Sequence, residues 1–399
     1  MGTNLAWLGG LNQSRVLDAV RSADGISRVE LAAQTGLTAQ TVSNIVRRLL
    51  EDGLVREDGR ATSRGGKRAT VLRLNADAYY AVGMHIDPAS TTLVVTDLAG
   101  HVVARTRRRT PSSQGPGRVI DALCRSVRAI VEEAPAPDRI LGLGVATPGP
   151  IDTSGAVTPP HLPGWRSVPL REVLEEGTGL TTVLDNDATA ATIGERWAGA
   201  ERRAVDMAFV YVGTGVGGGF ILGGRVYRGG SGNAAEIGHV VVDPRGPKCP
   251  CGSRGCLETY LAPHAVAAEA ARRRGEAADG YERGQARTVA AYRRVCREAR
   301  SGDPVALDVI AEAGRRLGDA GTALLNIIDV PLLVLGGWGV PHVGDLYREA
   351  LEAAIAERTL ARGVRRVRVE TSLIGEDAGA IGAASLVLHS SYSPTVGGV

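Results

Sequence analysis

Near the N-terminus, apolar positions recur at helical spacing and are interrupted by short polar turns. Val16, Leu17 and Val20 mark one helix through Arg15 to Arg21. A second opens at Ser27-Arg28-Val29-Glu30, where serine and a glutamate three residues on form a capping box. It ends at the Thr35-Gly36-Leu37 turn. The third begins near Thr38 and turns Val42, Ile45, Val46, Leu49 and Leu50 to one side. From Arg56 to Asn75 the chain alternates as a hairpin around a basic turn, Arg64-Gly-Gly-Lys-Arg68. Helix, glycine turn, helix and hairpin is the layout of a winged helix-turn-helix, which reads DNA with the early residues of its second helix. The predicted DNA-facing set is Ser27, Arg28, Thr38, Gln40, Thr41, Ser43, Asn44, Arg47 and Arg48, joined in the wing by Arg64, Lys67 and Arg68. The competing reading is a small helical bundle with a solvated basic loop.

Beyond residue 77 strands and helices alternate, with many glycine turns. Residues 81–87, 92–97 and 101–106 predict a meander, and 118–133 a helix. The stretches 140–146, 182–184, 209–212 and 332–335 are predicted as buried strands. Residues 188–198 are predicted helical, 264–328 largely so, and a last helix is expected from Ala378 to Leu388. Glycine-rich turns follow strands at Gly213-Thr-Gly-Val-Gly-Gly-Gly219 and Gly336-Gly-Trp-Gly339. Such turns suit recognition of phosphate or sugar hydroxyls by backbone amides.

At 399 residues and 44% hydrophobic, the chain has enough apolar material for two or three domains. No apolar run reaches transmembrane length, and Met1-Gly-Thr-Asn-Leu lacks the basic and apolar regions of a signal peptide, so a cytoplasmic location without membrane contact is expected. The net charge of +3 is uneven: residues 1–75 hold eleven Lys/Arg against seven Asp/Glu, so the basic excess lies in the stretch predicted to meet DNA.

One loop carries the sharpest chemistry. Glu236-Ile-Gly-His239 precedes Cys249-Pro-Cys251-Gly-Ser-Arg-Gly-Cys256-Leu-Glu258, placing one imidazole and three thiols close together. Three thiolates and a histidine complete a tetrahedral zinc site with no open position, so His239, Cys249, Cys251 and Cys256 are predicted to bind a structural Zn²⁺. Disulfides fit poorly with five cysteines and no secretion signal. Cys124 and Cys296 fall in helical patterns and are expected as buried small hydrophobes. His85, His101, His161, His264, His342 and His389 match no ligand spacing and are expected as filler, with His161 the one to watch in the proline-rich segment 158–169.

The order Val212-Gly-Thr-Gly-Val-Gly-Gly-Gly-Phe220, Gly229, Ala235, Gly238-His239 and Cys249, Cys251, Cys256 resembles the ROK family of repressors, open reading frames and sugar kinases. With the winged helix added, the chain is similar to the family's xylose-, N-acetylglucosamine- and glucose-responsive regulators. The resemblance implies an α/β chain in which the winged helix-turn-helix precedes a two-lobed actin-like ATPase (ribonuclease H-like) domain. The implied divisions are 1–76, DNA-binding; 77–190, first lobe, completed by helix 376–390; 191–375, second lobe with the zinc loop; and 391–399, a tail. It implies a sugar site formed by Asn186, Asp187, Glu236, His239 and Glu258, with Asp187 in the position of a kinase's general base. ROK kinases carry a first phosphate loop Asp-x-Gly-x-Thr, but here the stretch is Asp87-Pro-Ala-Ser-Thr91. Pro88 removes a backbone donor and Ala89 crowds the loop, so phosphoryl transfer is not expected. The expected function is a sugar-responsive DNA-binding regulator, most simply a repressor. Its effector is a sugar or sugar phosphate, and a homodimer or homotetramer would bind a two-fold operator. The alternatives are an ATP-dependent sugar kinase and a DNA-binding module controlled by a protein partner.

Overall fold

A computed structural model describes residues 5–60, 69–111, 115–152, 154–159, 164–199, 206–282 and 285–392. The N-terminal segments form α1 (Leu5–Arg21), β1 (Ile26–Ser27), α2 (Arg28–Thr35) and α3 (Ala39–Glu51), followed by β2 (Val55–Arg60) and β3 (Thr70–Leu74). The three strands make a small antiparallel sheet in the order β1-β3-β2. The capping box at Ser27 and Glu30 is present, and Gly36 ends α2 with a φ of 71°. Wing residues Arg64, Lys67 and Arg68 lie outside the described residues.

The rest of the chain builds the same sheet twice. The first lobe comprises β4 (Tyr80–Ile86), β5 (Ser90–Asp97), β6 (Val102–Arg109), α4 (Pro116–Glu132), β7 (Ile140–Thr147), α5 (Leu170–Thr178) and β8 (Thr182–Asn186). After α6 (Asp187–Ala198), the second sheet forms from β9 (Met207–Val212), β10 (Val216–Leu222) and β11 (Arg225–Tyr227). Helices α7 (Glu258–Leu261), α8 (Pro263–Arg273), α9 (Ala286–Arg300) and α10 (Pro304–Ile328) come next. Then follow β12 (Leu332–Gly336), α11 (Gly344–Arg358), β13 (Arg368–Thr371) and α12 (Ala378–Tyr392). The sheet orders, β6-β5-β4-β7-β8 and β11-β10-β9-β12-β13, are equivalent: three antiparallel strands, then two added in parallel.

Helices α6 and α12 lock the two lobes together. α6 leaves the last strand of the first sheet but packs on β10 of the second, where a Cβ at Gly219 would overlap Thr192. α12 leaves the second sheet and packs on β4 and β7, where Cβ atoms at Gly83 and Gly144 would overlap the backbone of Ala380 and Ala383. The helices meet each other at Gly194 and Gly382, a contact only residues without a side chain allow. The division expected at residue 190 therefore falls inside one continuous helix shared by both lobes.

The cores follow the same logic. One lies under the first sheet, and another joins the second sheet to α8–α11. A third unites α1–α3 with Val94 and Leu98 of the first lobe, Trp197 of α6 and Ile381, Val387 and Leu388 of α12. The DNA-binding domain is thus fused to the body through the crossing helices. No helix among the described residues is long and apolar enough to cross a membrane.

Candidate metal centre and ligand cleft

The cysteine loop folds around a point. Cys249 N–H donates to the Ser253 carbonyl at 2.8 Å, and Gly252 and Gly255 take positive φ. The ligating atoms of His239, Cys249, Cys251 and Cys256 all lie within 4.8 Å of one another. His239 Nδ1 is 3.6 Å from Cys249 Sγ, and Cys251 Sγ is 3.7 Å from Cys256 Sγ. Tetrahedral bonds of about 2.3 Å to sulfur and about 2.0 Å to nitrogen place ligand atoms roughly 3.5–3.8 Å apart, so these spacings suit a metal ion. The Ser253 N–H and the neighbouring thiols lower the Cys251 thiol to about 7, whereas burial pushes Cys256 up to about 12. Three thiolates so close require a cation to coexist. Outside the ligands, Asp243 accepts from the Arg245 N–H and from Arg316, both at 3.0 Å, tying the loop to α10.

The structure gives the residues that the resemblance assigns to a sugar unequal freedom. Asn186 caps α6, its Oδ1 accepting from the N–H groups of Ala188 at 2.9 Å and Thr189 at 3.4 Å. Asp187 opens the same helix, where a carboxylate is favoured by the unpaired N–H groups. Its Oδ2 lies 3.7 Å from Nε2 of buried His85. Glu236 follows Ala235, whose φ of 67° is unusual for a residue with a side chain and fixes the turn leading to His239. Desolvation lifts the Glu236 carboxyl above its usual range; His239 opposes the lift, and Asp187 and Glu258 add to it. Glu258 is 4% exposed and its Oε2 accepts the Val216 N–H at 3.0 Å, so it braces the second glycine turn.

The first turn, between β4 and β5, is closed on itself. Asp87 N–H donates to the Ser90 carbonyl at 3.2 Å, Pro88 has no N–H, and Ala89 N–H donates to Asp87 Oδ1 at 2.8 Å. Asp87 Oδ2 accepts the Thr214 hydroxyl from the second turn. No backbone donor of residues 87–89 is left for a phosphate.

On the recognition helix, Gln40, Ser43, Asn44, Arg47 and Arg48 are exposed while Val42, Ile45, Val46 and Leu49 are buried. Thr38 caps the helix, and its Oγ1 lies 2.8 Å from that of Thr41. Arg28 pairs with Glu57 at 3.1 Å. Ser27 is 6% exposed, with its hydroxyl held by Glu30 in the capping box.

Sequence reasoning passed over His85 because it has no ligand spacing. Its signal was its place on a buried strand two residues before the loop motif that starts at Asp87. His161 lies outside the described residues, whereas nearby Trp165 is buried in the first lobe's core.

Comparison with known proteins agrees with this layout. Residues 81–390 match the ROK family, and residues 10–69 match the MarR family. The protein belongs to the ROK family. A putative xylose repressor from Caldicellulosiruptor sp. (strain Rt8B.4) is 28% identical, with 96% of this chain and 97% of that protein covered. The dual regulator NagC of Escherichia coli K12 is 28% identical over 94% of this chain and 92% of its own. A crystal structure of a ROK family transcriptional regulator, a homolog of the E. coli MLC protein, superposes with a TM-score of 0.77 at 24% identity, covering 97% and 98% of the two chains, and shows the shared fold. A ROK glucokinase from Streptomyces griseus, solved with glucose and AMPPNP, matches 77% of this chain and 98% of its own at 29% identity, with a TM-score of 0.64. The repressor relatives thus cover nearly the whole chain, whereas this kinase leaves about a quarter of it unmatched.

Proposed function

We propose that this ROK protein is a sugar-responsive transcriptional repressor in which sugar bound between the lobes weakens the hold of the winged helix on operator DNA. The observation that carries the reading is α6. Its N-terminus presents Asn186 and Asp187 to the cleft, and its C-terminus is gripped by the DNA-binding domain. There the Arg21 guanidinium lies 4.5 Å from the centre of the Trp197 ring and donates to the Trp197 carbonyl, and Asp18 of α1 pairs with both Arg21 and Arg196. A rigid helix that touches ligand at one end and the DNA-binding domain at the other is a direct route for coupling.

In this reading Asp187 and Glu236 accept hydrogen bonds from sugar hydroxyls, Asn186 and Glu258 fix the helix start and glycine turn around them, and His239 links the sugar to the metal. The ion is zinc, held by His239, Cys249, Cys251 and Cys256. It keeps the Glu236–His239 turn ordered while the other imidazole nitrogen remains available to a ligand oxygen. Gln40, Thr41, Ser43, Asn44, Arg47 and Arg48 contact DNA, and Thr38 contacts it through its exposed cap. Two copies related by a dyad engage half-sites about one or more helical turns apart.

The kinase reading keeps some support from Asp187 and the second glycine turn. Against it stands the closed first turn, since phosphoryl transfer relies on positioned donors around the phosphates. The two readings separate on Asp187→Asn: a sensor retains operator binding and loses its sugar response, whereas a kinase loses sugar-dependent ATP consumption present in the unaltered protein.

A further inference from the structure

Strand β13 stands at one edge of the second sheet, paired in parallel with β12 and with no strand beyond it among the described residues. The Arg368 N–H donates to the Pro331 carbonyl at 3.0 Å and the Ser372 N–H to the Leu335 carbonyl at 2.7 Å, so these residues bond inward. Backbone groups alternate sides along a strand, which turns the N–H and C=O of Val369 and Thr371 outward from the sheet. The matching edge of the first sheet, β8, is stoppered: there the Thr182 N–H donates to Glu175 Oε1 at 2.8 Å. No side chain among the described residues does the same on β13. A groove of about 740 Å³ follows the open edge, lined by Ile355 of α11, Val367 and four arginines, Arg362, Arg365, Arg366 and Arg368. Its two carboxylates are already paired, Glu352 with Arg348 and Glu370 with Arg368, both at 2.9 Å. Arg365 is paired with Asp329 at 2.5 Å, whereas exposed Arg362 and Arg366 have no carboxylate partner among the described residues. Beside Arg362, Leu360 and Val364 are 87% and 92% exposed.

We propose that this edge receives an extended acidic segment of a protein partner, which adds a sixth strand to the five-stranded second sheet. Main-chain bonds to Val369 and Thr371 set the register, as in recognition by strand addition, and side chains supply the specificity. Carboxylates of the segment pair with Arg362 and Arg366, and an apolar residue covers Leu360 or Val364. The charge selects the occupant. A second copy of the same edge would set arginines against arginines, and like charges directly opposite destabilise a strand pair. An acidic strand meets the reverse situation, because the unpaired guanidiniums gain the partners they lack. The groove is built on the core of the second lobe, not on the core shared with the DNA-binding domain, so its occupancy is separable from operator binding.

The test is fluorescence anisotropy of the full chain, without DNA or sugar, using a short fluorescein-labelled peptide of alternating valine and aspartate. Saturable binding is expected, weakening as salt rises. The double change Arg362→Gln and Arg366→Gln should weaken it by roughly fivefold or more, as loss of two exposed ion pairs does. Thr371→Pro removes one outward N–H while leaving the Ser372 bond to Leu335 in place, and should also weaken binding, whereas Thr371→Val should not. A peptide of alternating valine and lysine, or the acidic peptide with its nitrogens methylated, should not bind. Absence of binding, equal affinity of the unaltered and doubly changed proteins, or equal affinity for the methylated or lysine peptide overturns the proposal. So does a fall in operator affinity on changing the two arginines, which would assign them to DNA, or a smaller assembly in sedimentation of Thr371→Pro, which would assign the edge to a second copy. Thermal melts accompany each titration; if Thr371→Pro melts early, the methylated peptide carries the backbone comparison with the protein unaltered.

Discussion

Individual side chains in the cleft carry distinct duties. Asp187 has one oxygen turned towards His85, whereas Glu258 is committed in part to Val216, so the two carboxylates should fail differently. Asp187→Asn is expected to leave folding and operator binding intact while removing the sugar effect. Glu258→Gln loses charge in a buried bond to a backbone N–H and should cost about 1–3 kcal/mol in unfolding measurements. Cys251→Ser should release the metal, seen by metal analysis, together with the sugar response; retention of both would disprove the ligand set. The cluster of His239, Cys249, Cys251 and Cys256 was legible because short Cys–Cys spacing constrains chemistry before any fold is known. A capping serine and a DNA-contacting serine look alike in sequence, and only the structure shows that Ser27 caps α2.

The crossing of α6 and α12 decides what the elements can do. Gly194 and Gly382 face backbone across the contact, so Gly382→Val should separate the helices and cost about 1–3 kcal/mol or more, measured by denaturant unfolding. At the far end of α6, Arg21→Met should keep the fold and basal DNA affinity but reduce the fold-change that sugar produces, since it cuts the grip on Trp197. His389 of α12 lies in this joint; burial and the nearby Arg228, Arg196 and Arg21 push its pKa down from 6.5 to about 4, against the pull of Asp18. The folded protein therefore favours neutral His389. Its contribution to stability is complete above pH 6.5 and is lost as pH falls towards 4. Melting curves across that window should shift downward with acid, and His389→Gln should flatten the shift. Sequence periodicity found α3, the meander and the last helix. It did not separate α8, α9 and α10, where Gly275, Gly280 and Gly302 take positive φ within one apparently helical stretch, nor did it reveal α11 and β13. The glycines of β10 were read as a loop; they are strand residues, Gly217 and Gly219 bare so that α6 can lie against them and Gly218 bare on the other face against Ala235 and Ile237.

Across the whole molecule, one sheet topology occurs twice, and the DNA-binding domain shares a core with the helices that join the two copies. In the proposed mechanism, closing the lobes on a ligand moves α6 or α12 against α1, with which both share a core. A resemblance read from short motifs anticipated this architecture, but the motifs do not encode which side chains meet across lobes. Trp197 with Arg21, and Arg293 with Glu376, are contacts between residues far apart in the chain. Coupling through such contacts is reciprocal and typically about 1–3 kcal/mol. The most direct test is fluorescence anisotropy of the purified protein on the DNA upstream of its own gene, with excess competitor DNA and a panel of sugars, each with and without ATP. The account predicts specific binding that one sugar weakens by roughly 5- to 150-fold without ATP. Operator affinity unchanged by every sugar, or no specific binding alongside sugar-dependent ATP consumption, would contradict it.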